Sequence, residues 1–273
     1  MGAHVSVAGG VLAALPRAAA VGAEVIQVFV ASPRAWAPPP RDPAGDERFR
    51  QACAVPVFVH APYLINFGSP SPETLARSSL ALEFSLRRGA AIGASGVVLH
   101  AGSAVLGNRW DTAMDQVRAH LLPLLDAVDG GPRLLIEPTA GGGGALASDA
   151  ASLRAYLDVL GRDPRIGVCL DTCHVHAAGH DLSTPGSFAA ALRAYWRAAG
   201  RGGIGLVHVN DSRDPAGSKR DRHESLGRGT IGRDAFGALF TTPGIRGVPL
   251  VVETAEADHA ADIAALKALR GAG

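Results

Sequence analysis

Apolar positions along this chain follow two alternating patterns. Short runs rich in β-branched side chains alternate with longer Ala-, Leu- and Arg-rich stretches whose apolar residues recur at helical spacing. The runs are Ala3 to Val7, Val25 to Val30, Val57 to Val59, Val97 to Leu99, Leu134 to Ile136, Val168 to Leu170, Leu206 to Val207 and Leu250 to Val252. Helices are predicted after them over Val11 to Val21, near Asp46 to Cys53, and over Pro72 to Ala91, Thr112 to Val128, Asp149 to Leu160, Pro185 to Ala199, Arg233 to Phe240 and Glu256 to Leu269. Eight successive βα units in 273 residues predict an α/β fold, a closed TIM-type (β/α)8 barrel, with a doubly wound open sheet as the competing architecture. No linker divides the chain, so residues 1–273 are expected to form a single domain. Ala37 to Gly45, with four prolines, reads as a loop. Gly141 to Gly144 reads as another, and no Gly-Lys-Ser/Thr follows it to make a phosphate cradle.

Composition narrows the class. Hydrophobic residues make up 47% and charged residues 19%, which excludes a disordered chain and a coiled-coil rod. The apolar runs are too short for a membrane span. Met1 is followed at once by Gly-Ala-His-Val-Ser, without a basic and apolar leader, so a cytoplasmic protein with no membrane partner is expected. Cys53, Cys169 and Cys173 are odd in number and lack a Cys-x-x-Cys spacing, so they are expected in the core rather than in disulfides. No zipper pattern is present, and a monomer is the default.

The strand ends carry the chemistry. Six of the eight apolar runs end in a residue able to bind a metal: His60, His100, Glu137, Asp171, His208 and Glu253. In a parallel barrel these ends lie on one face and converge. Taken singly, a strand-end Asp or Glu is an ordinary helix N-cap, and a lone His an ordinary core residue. Gathered in one place they would suffer desolvation and mutual repulsion unless cations neutralised them. Two short motifs add His174, in Asp171-Thr172-Cys173-His174, and the pair Asp221 and His223. The nine are five imidazoles and four carboxylates, a mixed N/O set that suits Zn²⁺, with Mn²⁺ or Fe²⁺ as alternatives. At three to five ligands per ion they fit two or three ions with a bridging carboxylate. Ions about 3.5 to 4 Å apart are a recurring answer to phosphodiester hydrolysis. The net charge is only +1, yet three divalent ions would raise it to +7, all of the addition falling in the cleft. Residues 201–233 add seven basic residues against four acidic ones.

These motifs resemble the endonuclease IV family, the zinc-dependent apurinic/apyrimidinic endonucleases. The resemblance runs nearly end to end, through Gly2-Ala-His-Val-Ser-Val-Ala-Gly-Gly10, Phe58-Val-His-Ala-Pro-Tyr-Leu-Ile-Asn66, Leu99-His-Ala-Gly-Ser103, Glu137-Pro-Thr-Ala-Gly141, Gly167-Val-Cys-Leu-Asp-Thr-Cys-His174 and His208-Val-Asn-Asp-Ser212 to Asp221-Arg-His-Glu224. It implies a TIM-type barrel with three zincs per chain, manganese being a substitute. The implied reaction is incision of double-stranded DNA 5′ to an abasic site, leaving a 3′-hydroxyl and a 5′-deoxyribose phosphate. His60 and His100 would hold one zinc, with Glu137 bridging to a second completed by Asp171, His208 and Glu253. His174, Asp221 and His223 would hold the third. The attack implied is by a hydroxide bridging the first two zincs, with Glu137 the residue that matters most. Arg34, Tyr63 and Leu64 would enter the gap left by the missing base.

Departures from the family are local. Pro138 follows Glu137 where an Asn is usual, which favours an extended strand end but removes an amide near the metals. The segment between Trp36 and His60 is shorter and richer in proline. His4 is expected to support the site rather than bind metal, and His176 and His180 to be loop or supporting residues. Two rival readings remain: a sugar isomerase or epimerase of the xylose isomerase-like barrels, which explains Glu137, Asp171, His208 and Glu253 but not the third group, and a non-catalytic damaged-DNA-binding protein.

Overall fold

The computed structural model describes residues 1–105, 107–128 and 130–272. Eight parallel strands close into a barrel: β1 (Gly2–His4), β2 (Ile26–Phe29), β3 (Val57–His60), β4 (Gly96–His100), β5 (Arg133–Glu137), β6 (Ile166–Asp171), β7 (Ile204–His208) and β10 (Leu250–Val252). The last strand returns to the first, with Gly2 opposite Val251 and Ala3 opposite Val252, so the open-sheet alternative is excluded. The seam is tight. A Cβ on Gly2 would lie 1.6 Å from the Val25 carbonyl oxygen, so only glycine fits there.

Strand alternation sorts the side chains into two cores. Val57, Val59, Val97, Leu99, Leu134, Ile136, Val168, Leu170 and Val207 face outward into the main core with the helices. A separate cluster of Val25, Phe58, Val98, Leu135, Cys169, Leu206 and Val251 fills the barrel interior. Two residues further along each of these strands, on the same inner face, stand Gln27, His60, His100, Glu137, Asp171, His208 and Glu253. The apolar cluster is therefore a floor, and the polar ring sits on it.

The outer layer is built of α1 (Ala14–Ala20), α2 (Pro43–Ala52), α3 (Pro72–Ala91), α4 (Trp110–Ala127), α5 (Ala150–Val159), α6 (Thr172–Ala178), α7 (Pro185–Ala199), α8 (Ala238–Thr241) and α9 (His259–Ala272). Side-chain caps explain several starts: Ser71 accepts from Thr74 N, Thr184 from Ser187 N, and Asp149 forms a capping box with Ser152. Three details differ from the sequence expectation. Strand β1 ends at His4 rather than Val7, because Arg17 draws the carbonyls of Ser6 and Ala8 to itself at 2.8 and 2.9 Å. Helix α2 starts at Pro43, inside the proline-rich stretch expected to be loop; a proline needs no N–H donor in the first turn, and Asp42 caps the helix. Helix α6, and the two-stranded ribbon of β8 (Asp211–Ser212) with β9 (His223–Glu224), were not foreseen. Among the described residues no helix is long and apolar enough to cross a membrane.

Candidate metal centre

All nine sequence-predicted donors converge at the C-terminal mouth of the barrel. Donor atoms of His60, His100 and Glu137 lie within 4.8 Å of one another, as do those of Glu137, Asp171, His208 and Glu253, and those of Asp171, His174 and His223. Asp221 reaches the third group from the exposed side, its Oδ2 at 3.1 Å from His174 Nε2 and its Oδ1 at 3.0 Å from His223 Nε2. Glu137 is central. Its Oε2 faces His60 Nε2 and His100 Nε2 at 3.4 and 3.5 Å, while its Oε1 faces His208 Nδ1 and His174 Nδ1 at 3.1 and 3.3 Å.

The hydrogen bonds that leave the cluster decide which ring nitrogens face into it. His60 Nδ1 donates to the Ala61 carbonyl at 2.7 Å, His174 Nδ1 to the Pro138 carbonyl at 3.1 Å, and His208 Nε2 to Gln27 Oε1 at 2.9 Å. In its neutral form each ring would therefore turn its lone pair toward carboxylates, which themselves offer only lone pairs. Glu137 Oε2 is buried without a hydrogen-bond partner, and the buried His223 Nε2 faces carboxylate oxygens of Asp221 and Asp171 at 3.0 and 3.4 Å. Opposed acceptors and an orphaned buried oxygen fit divalent cations, and the imidazole and carboxylate donors fit zinc or manganese.

With protons alone, the cluster titrates as a site short of positive charge. Burial works against the imidazolium of His174, yet Asp171 and Asp221 hold it well above its ordinary range. The Cys169 sulfur, Glu253 and Glu137 do the same for His208 against its burial. His223 is pushed up to about 9, Asp171 and Asp221 overcoming burial. His100 is different: burial dominates and lowers it to about 4.

Local structure explains how the sequence delivers these groups. Asp171 closes β6 and caps α6 by accepting from His174 N at 2.9 Å, so the N-cap and cluster roles coincide in one carboxylate. Asn210, just past β7, donates to Asp171 Oδ2 at 2.7 Å and accepts from Glu253 N at 2.8 Å. The ribbon brings His223 opposite Ser212, and its anchor is Asp211, fully buried. The Asp211 carboxylate accepts from the amides of Ser212, Gly227, Gly229, Ile231 and Gly232 at 2.8 to 3.3 Å. Gln27, Asn210 and Asp211 were missed by residue-type reasoning. Strand phase could have found Gln27, two residues after inward Val25, and the His208-Val-Asn-Asp-Ser212 motif held the other two.

The three residues expected to contact DNA lie at the rim. Arg34 is exposed on the β2–α2 loop, Tyr63 is 44% exposed, and Leu64 is partly buried. Tyr63 N donates to the Pro33 carbonyl at 3.0 Å, tying the two loops together, and its ring packs on His60 and His100 with centroids 5.1 and 5.4 Å away. Much of the basic surplus in residues 201–233 is paired internally: Arg222 and Arg220 meet Asp214, and Arg213 meets Glu224. His176 supports the site, accepting from Leu182 N and touching Thr230 Oγ1, and His180 packs on Tyr195. Beside His4 the mouth opens into a cavity of about 690 Å³ lined by Val7, Phe29, Pro33 and Thr254.

Comparison with known proteins places this geometry. The AP endonuclease 2 family model, described as a xylose isomerase-like TIM barrel, matches residues 15–270. The chain is 51% identical over 278 residues to a probable endonuclease 4 of Streptomyces coelicolor, covering 99% of this chain and 95% of that one. It is 50% identical over 278 residues to a probable endonuclease 4 of Streptomyces avermitilis, covering 99% and 90%. Among solved structures it is similar to endonuclease IV from Thermus thermophilus, with a TM-score of 0.86, 32% identity and coverage of 99% and 98%.

Proposed function

The chain belongs to the endonuclease 4 family of xylose isomerase-like TIM barrels, and on that premise we propose that it is a DNA-repair endonuclease that hydrolyses the phosphodiester 5′ to abasic sites in double-stranded DNA, leaving a 3′-hydroxyl and a 5′-deoxyribose phosphate. The observation that carries this reading is the convergence of nine donors on one mouth, three of the rings held with their outer nitrogen protonated, around Glu137, whose Oε2 is buried without a hydrogen-bond partner. His60, His100 and Glu137 would hold one zinc; Glu137, Asp171, His208 and Glu253 a second; His174, Asp221 and His223 a third. When bound, such ions lower the pKa of water and neutralise charge on a phosphodiester. The chain supplies the rest. The carbonyls of Ala61 and Pro138 and the amide of Gln27 keep three rings oriented with their protons outward. Burial first, and Glu137 for Cys169 or Asp171 for Cys173, push both thiols up to about 12, so neither serves as a nucleophile. Burial likewise raises Tyr63, which stays a neutral phenol at the rim beside the entering strand. Arg34, Tyr63 and Leu64 are the groups proposed to fill the gap left by the missing base, the chain acting as a monomer.

The test is a duplex with one abasic analogue, incubated with and without chelator. Chelator-sensitive nicking at the lesion, with a 3′-hydroxyl end, is expected. Tight binding without nicking would replace this reading with a non-catalytic damage binder, and indifference to the duplex would turn attention to sugar substrates. Metal analysis of the purified chain is expected to give three zincs.

A further inference from the structure

Gln27 stands on β2 level with the donor ring, fully buried, and in phase with Val25 of the apolar floor. Its amide makes three contacts. Nε2 lies 2.7 Å from Glu253 Oε1 and 2.9 Å from His4 Nδ1, and Oε1 lies 2.9 Å from His208 Nε2. Chemistry fixes the orientation. A carboxylate only accepts, so the amide atom nearest Glu253 is the NH₂ group; Oε1 then faces His208, and that bond exists only if His208 Nε2 carries a proton.

We infer that Gln27 is a positioning residue of the metal centre, its one amide setting the tautomer of His208 and the place of Glu253; this rests on the metal reading above. His208 Nδ1 lies 3.1 Å from Glu137 Oε1, 3.2 Å from Glu253 Oε2 and 4.0 Å from Asp171 Oδ2. With the proton on Nε2, Nδ1 offers an ion its lone pair. In the other tautomer an Nδ1–H would donate to Glu137, and His208 would turn no lone pair toward the three carboxylates. The two N–H bonds of the same amide tether Glu253 and leave His4 accepting at Nδ1, with its own proton on Nε2. An apolar residue of equal size would fill the space and do none of this.

The test uses the full-length, zinc-loaded chain. Proton–nitrogen spectra of the histidine rings read the tautomers, and competition with a chromogenic chelator reads zinc retention. The parent is expected to show His208 protonated at Nε2. Gln27→Leu is expected to release that tautomer and weaken retention of one zinc by about 10- to 100-fold. Gln27→Glu keeps the acceptor but sets a second carboxylate against Glu253, so it is expected to hold the tautomer and still weaken zinc. A folded Gln27→Leu chain with the parental tautomer, and zinc retention within about twofold of the parent, overturns the inference. Should that variant not fold, Gln27→Glu decides: parental zinc retention overturns the inference, and weakened retention with the tautomer intact upholds it. A parent chain that binds no zinc overturns the metal reading itself, a result distinct from an indifferent Gln27.

Discussion

Glu137 sends its two oxygens to different neighbours, Oε2 to His60 and His100 and Oε1 to His208 and His174. A change at this one side chain therefore reaches two donor groups, whereas His223 stands at the third, with Asp171, His174 and Asp221. Glu137→Ala is expected to remove more than one ion per chain and at least about 100-fold of nicking activity, and His223→Ala to remove a single ion. Elemental analysis after gel filtration checks this, and equal losses from the two variants would remove the bridging role from Glu137. The same residues set a pH dependence. His223 is pushed up to about 9, and His174 and His208 also lie above their ordinary range, by carboxylates and, for His208, the Cys169 sulfur, acting against burial. These raised groups hold protons near neutrality that an entering cation must displace, so zinc affinity rises with pH until they deprotonate. Calorimetric titration of zinc at about pH 7, in buffers of different ionisation enthalpy, is expected to show release of about one proton or more per ion. Heats independent of the buffer would contradict it.

One scale up, the third donor group depends on short elements that have little stability of their own. The β8–β9 ribbon pairs two residues with two, and the five amides collected by Asp211 hold the loop behind it. The approach is close enough that a Cβ on Gly229 would lie 2.4 Å from Asp211 Oδ1. Removing the Asp211 carboxylate leaves buried amides without acceptors, so Asp211→Ala is expected to destabilise the chain by about 3 kcal/mol and to loosen the ion near His223 first. Urea unfolding monitored by circular dichroism measures the first effect, and a loss below about 1 kcal/mol would mean that water or neighbouring carbonyls take over the amides. This scale also marks where sequence reading stops. Six donors were legible because strand period and residue type agree: Phe58 and His60, Val98 and His100, or Leu135 and Glu137 stand two apart on one face. Gln27 has the same phase but an amide side chain, which no ligand search selects. Helix α6 was hidden because Thr172–Ala178 spans only about two turns, and its start depends on Asp171 reaching His174 N. The ribbon strands are shorter than any periodicity. Pro43 looked like loop until its place in the first turn of α2 was known.

At the scale of the molecule, the exposed surface of 11346 Å² agrees with the roughly 11,000 Å² expected of a compact chain this long, and the eight βα units close as periodicity implied. Overall charge was the least informative quantity in the sequence. A balance of +1 gives no reason to expect a polyanionic partner, and several arginines near the mouth are already paired with Asp214 and Glu224. If the centre fills with three divalent ions, six charges enter at one place, and phosphate binding comes to depend on metal rather than on surface lysine and arginine. Counterion release makes this measurable, since each phosphate neutralised by the protein steepens the fall of affinity with salt by about 0.9 in a logarithmic plot. Fluorescence anisotropy with an uncleavable abasic duplex at several salt concentrations is expected to give a steeper slope for the zinc-loaded chain than for the chelated one, by about one or more. Identical slopes would mean that the rim residues hold the backbone and the ions take no phosphate, which would separate DNA binding from the centre built by Glu137 and its neighbours.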